Sequence, residues 1–177
     1  MENNSGESGE AAAAAVLSLD ATAPFQAVGF AVSSIGFAVA KHFRDTLAPL
    51  ELEPREFALL RGVAAAEGQS QQAIAEQLHI PPSRMVAFVD ALEQRALLER
   101  RHNPDDRRTR ELYLTADGRQ LLGRAFTLAL AFERQLCAEL SAAERQQLLA
   151  LLQRVGLQAG VVGGSHAAHA HSGFAHE

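Results

Sequence analysis

The sequence has a single cysteine, Cys137, which excludes an internal disulfide and any zinc site built from several cysteines. It has a single lysine, Lys41, every other basic residue being arginine. Arginine suits phosphate and groove recognition better than lysine does. No uninterrupted apolar run of about 18 residues occurs, so no transmembrane helix is expected. The first ten residues, MENNSGESGE, lack the basic segment that opens a signal peptide. These absences predict a cytoplasmic protein without membrane contact. A P-loop, a dinucleotide fingerprint and a Ser-His-Asp set at usable spacing are also missing, so neither an enzyme nor a cofactor is expected. Internal repeats of about 20–50 residues are absent, which excludes a solenoid.

The formal charge is −5 on 177 residues, which taken alone disfavours an indiscriminate polybasic binder. Its distribution tells more. Residues 1–23 hold Glu2, Glu7, Glu10 and Asp20 with no basic residue. With Gly, Ser and a run of alanines, they read as an acidic flexible arm. From Gly156 the chain turns rich in Gly, Ala, Ser and His, and 158–177 reads as a second tail. The folded part is expected over 24–157.

Within it, a first helix is expected from Pro24 to about Leu47. Val28, Val32, Ile35, Val39 and His42 form one stripe, with Phe43 and Leu47 beside it. Phe30 and Phe37 lie off that line, so the helix is apolar on more than one side. It then needs two partners, its own core and a second chain. A second helix is expected from Pro54 to near Glu67-Gly68, with Gly68 left-handed. Ser70 caps a third, Gln71–Leu78. Pro82 and Ser83 start a fourth, which runs to about Arg95 with Met85, Val89 and Leu92 inward and Phe88 alongside. Two short strands, Leu97–Arg101 and Arg110–Leu114, flank the strong turn Asn103-Pro104-Asp105-Asp106. Thr115 caps a long fifth helix. Ser141-Ala142-Ala143-Glu144 is a capping box for a sixth.

Short helix, tight turn, second helix and hairpin is the winged helix-turn-helix order. The second helix must enter a DNA major groove about 12 Å wide with polar side chains at its leading end. Here that end is Pro82-Ser83-Arg84. The hairpin must reach sideways with cations. Residues 100–110 hold five arginines against Asp105 and Asp106, a local charge of +3 on a chain of −5.

At these residues the chain resembles the MarR family of transcriptional regulators. The resemblance is carried by LEPREFALL (Leu52–Leu60), QAIAEQL (Gln72–Leu78), SRMVAFVDAL (Ser83–Leu92), LERR (Leu98–Arg101) and above all NPDDRRTRELYLTADG (Asn103–Gly118). It implies a mainly α fold with a small β-hairpin wing: a six-helix winged helix-turn-helix homodimer. The first and last helices, about 24–47 and 115–157, would form the dimer interface. The DNA-binding lobe would span about 54–114, and the partner would be a palindromic double-stranded DNA operator. Arg108 matches the wing-tip arginine expected in the minor groove, and Asp106 would hold it by a salt bridge. Arg107 and Arg110 are expected on phosphates, and Ser83 and Arg84 on base edges. Ser70, Gln71, Pro82 and Arg101 complete the expected DNA-binding set. Two departures stand out. The family usually has Gly where this chain has Ala96, so a less left-handed turn or a slightly longer helix is expected there. It often has Arg at Ala87 and hydroxyl residues near Arg84 and Val86, which shifts base reading toward Arg84.

The resemblance also implies a small-molecule effector that changes the spacing of the two reading helices, whose half-sites lie about 34–36 Å apart. Phe30, Phe37, His42 and Phe43, with Arg61 for an anionic group, are the lining candidates, and a phenolic or aromatic carboxylate fits them. A repressor released by such an effector is the main expectation, and activation is the alternative mode. Two further alternatives stay open. One is a redox-responsive regulator using Cys137. The other is a metal-responsive or metal-buffering protein using His166, His169, His171 and His176, although no structured metal site is expected.

Overall fold

The computed structural model describes residues 27–103 and 109–161. Six helices and one hairpin occur among them: α1 (Val28–Leu47), α2 (Pro54–Ala65), α3 (Gln71–Gln77), α4 (Pro82–Gln94), β1 (Leu98–His102), β2 (Arg110–Leu114), α5 (Ala116–Leu136) and α6 (Ala142–Gln158). The expected order therefore holds. The expected helix start at Pro24 lies outside the described residues. The second helix stops at Ala65, short of Glu67. The first strand sits one residue later than expected.

The chain divides into two units within α1, one up to His42 and one from Phe43. In the first unit the helix is largely exposed, with Phe30 at 58% and Phe37 at 74%. The second unit holds the core. Leu47, Leu59, Leu60, Ile74, Met85 and Leu92 are among its fully buried side chains, together with Leu98, Leu112 and Leu114 of the hairpin. Phe43 and Phe57 add an edge-to-face ring contact at 5.9 Å, a favoured aromatic geometry.

Local chemistry explains each boundary in this unit. Pro54 opens α2, and Glu53 with Glu56 forms a reciprocal capping box. Ser70 Oγ accepts the Ala73 N–H at 3.1 Å to cap α3. After Leu78 the chain turns through His79 at φ 51°. The Ile80 N–H then donates to Ala75 O at 2.9 Å, returning buried Ile80 to the core. β1 and β2 pair antiparallel, Leu98 opposite Leu114 and His102 opposite Arg110. The segment before α3 joins their edge: Gly68 N–H donates to Leu112 O at 3.1 Å, and Leu112 N–H to Gln69 O at 3.0 Å.

The junction between α4, the hairpin and α5 is the tightest place in the fold. Ala96 takes φ 54°, so the expected less left-handed turn is corrected. Helix-terminal bonds hold it there: Ala96 N–H donates to Glu93 O and Leu97 N–H to Leu92 O, both at 2.9 Å. The Thr115 hydroxyl donates to Ala96 O at 2.6 Å. The same hydroxyl oxygen accepts the Gly118 N–H at 2.9 Å and caps α5. Thr115 N–H donates to Leu97 O at 3.2 Å. At Gly118 a Cβ would stand 2.0 Å from Leu97 O, so only glycine fits. The Leu-Thr-x-x-Gly run is thus a joint: Leu114 buried, Thr115 bonded both ways, Gly118 pressed on the backbone.

Two substitutions check this joint by thermal or urea unfolding. Ala96→Gly should stabilise by about 0.5–1 kcal/mol, because glycine relieves the left-handed cost at some cost in entropy. Gly118→Ala should destabilise by about 1–3 kcal/mol through overpacking.

Candidate nucleic-acid interface

The leading end of α4 is built by its two prolines. Pro81 occupies the cap position and Pro82 the first turn. Pro81 O accepts the N–H groups of Arg84 and Met85, both at 3.0 Å. The helical period buries Met85, Val89 and Leu92 and leaves Pro82, Ser83, Arg84, Val86 and Ala87 exposed. No ion pair engages Arg84 among the described residues. The outward face thus offers a hydroxyl, a guanidinium and an apolar pair. In a major groove these match, respectively, either base type, guanine O6 and N7, and the thymine methyl group. Val86 and Ala87 were not among the expected site residues, because an apolar side chain gives no polar motif to read.

Ser70 and Gln71 stand at the start of α3, with their polar groups engaged inside the fold. Ser70 Oγ is the α3 cap, and Gln71 Oε1 accepts from Arg100 Nε at 3.2 Å.

The hairpin separates its arginines by face. Leu98, Arg100, Leu112 and Leu114 lie toward the core, and Glu99, Arg101, Glu111 and Tyr113 on the other side. Arg100 is an internal group, with its side chain 18% exposed and paired with Asp90 and Glu93. Arg101 lies over the Tyr113 ring at 4.2 Å and pairs with Glu99. A cation over an aromatic face is attracted by the ring quadrupole. Glu111 accepts from Tyr113 Oη at 2.9 Å and from Asn103 Nδ2 at 2.7 Å, fixing the strand ends below the tip. The bond to the Glu111 carboxylate, aided by desolvation, raises the Tyr113 pKa. Arg110 opens β2 in an exposed position. Asp106, Arg107 and Arg108 lie outside the described residues.

Phe43 is half-buried against Phe57 and Phe132. Arg61 is exposed on α2, and His42, Phe30 and Phe37 are exposed on α1. Cys137 is the C-terminal cap of α5, its Sγ 3.6 Å from Glu133 Oε1. Desolvation and the adjacent Glu133 carboxylate push its thiol above the ordinary range. This disfavours the thiolate, the form that oxidants attack. The four tail histidines lie outside the described residues. Among the described residues no cluster of three or more His, Cys, Asp or Glu could hold a metal ion, and no helix is long and apolar enough to cross a membrane.

The family profile described as "MarR family" matches residues 52–109. A protein named as a transcriptional regulator of the hcr operon of Thauera aromatica is 32% identical over 129 residues, covering 72% of this chain and 78% of that protein. Among solved structures, the transcriptional repressor CouR bound to a 23-mer DNA duplex superposes with a TM-score of 0.69 and 32% identity, covering 88% of this chain and 99% of that one. A CouR structure from Rhodococcus jostii bound to p-coumaroyl-CoA gives a TM-score of 0.64 at 29% identity, over 73% of this chain and 92% of that one. The transcriptional repressor CouR bound to p-coumaroyl-CoA, at 32% identity, gives a TM-score of 0.66 over 78% of this chain and 97% of that one.

The thiol environment makes a measurable statement. Alkylation of Cys137 by iodoacetamide should be slow at neutral pH and still be climbing above pH 9. A plateau below pH 8 would contradict the carboxylate-flanked thiol.

Proposed function

Because the chain belongs to the MarR family of transcriptional regulators, we propose that it is a homodimeric repressor that binds a palindromic operator and leaves it when a small-molecule effector binds. The observation that carries this reading is the match along 88% of the chain to a repressor held on a DNA duplex. The exposed leading end of α4 supplies the chemistry. Ser83 and Arg84 read base edges, and Val86 and Ala87 contact thymine methyl groups. Pro82 sets the angle at which the helix enters. Arg101, Arg107 and Arg110 meet phosphates, with Ser70 and Gln71 at the nearby start of α3. Arg108 enters the minor groove, where narrow A·T-rich stretches attract guanidinium, and Asp106 holds it.

A solved relative supports an effector class. CouR binds p-coumaroyl-CoA, a phenolic acyl thioester. The proposed effector of this chain is a phenolic or aromatic carboxylate, or its coenzyme A thioester. Phe30, Phe37, His42 and Phe43 are the proposed aromatic lining, and Arg61 the proposed anion partner. Such a ligand acts only through its different affinity for the DNA-bound and released states.

Three measurements test the reading. A dimer making roughly 6–10 phosphate contacts loses about 10³–10⁵ in operator affinity between 50 and 200 mM salt. Affinity that ignored salt over that range would sink the model, as would wild-type binding by a folded Arg108→Ala protein. A panel of aromatic acids and p-coumaroyl-CoA should include a compound that both raises the melting temperature and releases the DNA. A panel with no such member removes this effector class.

A further inference from the structure

Arg100 was one of five arginines counted toward a cationic hairpin, and the structure gives it a different place. Each of its three guanidinium nitrogens is directed to another part of the fold. Nη2 meets Asp90 Oδ1 at 2.6 Å, Nη1 meets Glu93 Oε2 at 2.5 Å, and Nε donates to Gln71 Oε1 at 3.2 Å. Its backbone N–H also donates to Glu93 Oε1, at 3.2 Å. Asp90 and Glu93 lie on α4, Gln71 opens α3, and Arg100 sits in β1. One side chain therefore ties both helices of the helix-turn-helix to the root of the wing. A planar fork makes directed bonds to several acceptors at once, which a lysine ammonium on a flexible stem does not reproduce.

We infer that Arg100 is a positioning residue for DNA reading: it fixes the wing relative to α4 so that the two elements meet the duplex in register. The inference rests on the DNA-binding reading above. With two carboxylates on its guanidinium and only 18% of its side chain exposed, Arg100 contributes geometry rather than a phosphate contact. Asp90 and Glu93 have the complementary role. They are acids on a helix proposed to face a polyanion, and they hold the arginine rather than repel the duplex. Without this tie, wing and helix still carry their own contacts, but a sequence that satisfies both at once loses its advantage over one that satisfies either.

The probe is a duplex selected by the wild-type protein from a randomised pool, compared with a scrambled duplex of equal composition. Arg100→Gln, shown to be folded by circular dichroism, should bind the selected duplex about tenfold more weakly, the worth of one base contact. Binding to the scrambled duplex should stay at the wild-type level. The slope of log affinity against log salt should also stay unchanged, whereas loss of a phosphate contact flattens it by about 0.9 per site. Arg100→Lys keeps the charge and loses the fork, so it should show the same loss of selectivity. Glu93→Ala supplies the opposite sign. By charge alone it tightens both duplexes, while the inference requires weaker binding to the selected one. Equal weakening on both duplexes with a flatter slope would make Arg100 a phosphate contact and overturn the inference. Wild-type selectivity in folded Arg100→Gln would overturn it as well. If that variant does not fold, Glu93→Ala decides, and unchanged or tighter binding to the selected duplex rejects the inference. A wild-type protein that enriches no sequence removes the DNA-binding reading itself and the inference with it.

Discussion

The close approach of Gly118 to the Leu97 carbonyl is the constraint on which the second half of the fold depends. It brings the start of α5 onto the turn between α4 and β1, leaving no room for a side chain. The Thr115 hydroxyl then serves two backbones, donating to Ala96 O and accepting from Gly118 N–H. Because both strands of the hairpin begin or end at this joint, their register follows from it. Buried Leu98 and Leu114 face the core side by side. The left-handed Ala96 is part of the same arrangement. A residue that resists positive φ is held there by four hydrogen bonds at Ala96, Leu97 and Thr115. Strain of this kind persists where the surroundings over-determine the backbone.

The charge of the hairpin takes a different meaning from its arithmetic. Five arginines against two aspartates over residues 100–110 suggested a uniformly cationic arm. In the fold, Arg100 is turned inward and neutralised by two acids of α4, and Arg101 is stacked on Tyr113 beside Glu99. The hairpin root is therefore held by charge, and Arg100 is withdrawn from the outward cations while Arg101 stays exposed. A net-acidic protein can still carry a locally cationic surface, because some of its acids pair with arginines inside the fold and others lie elsewhere in the sequence.

Much of this was legible in the sequence, for identifiable reasons. Cap and turn residues act locally, so Ser70, Thr115 and the Ser141–Glu144 box marked their helix starts correctly. The inward stripe of Met85, Val89 and Leu92 followed from period alone. Three things were not legible. The φ of Ala96 depends on a hydroxyl 19 residues away. Which arginine is paired depends on Asp90, Glu93 and Gln71, brought together only by folding. The exposed apolar pair Val86 and Ala87 carries no motif. Of the candidate site, the exposure of the α4 end was readable from pattern, while the inward placement of Arg100 required the fold.

The last helix, α6, has a reciprocal cap at Ser141 and Glu144, yet none of its residues is buried in the single chain. Its local start signal is strong, but most of a helix's stability in a protein comes from packing of its apolar face. The order of α6 therefore belongs to whatever covers Leu148, Leu149, Leu151 and Leu152, all more than 40% exposed. If that cover is another copy of the chain, folding and assembly of this helix are one reaction governed by mass action. Dilution then becomes a denaturant acting on one end of the molecule first.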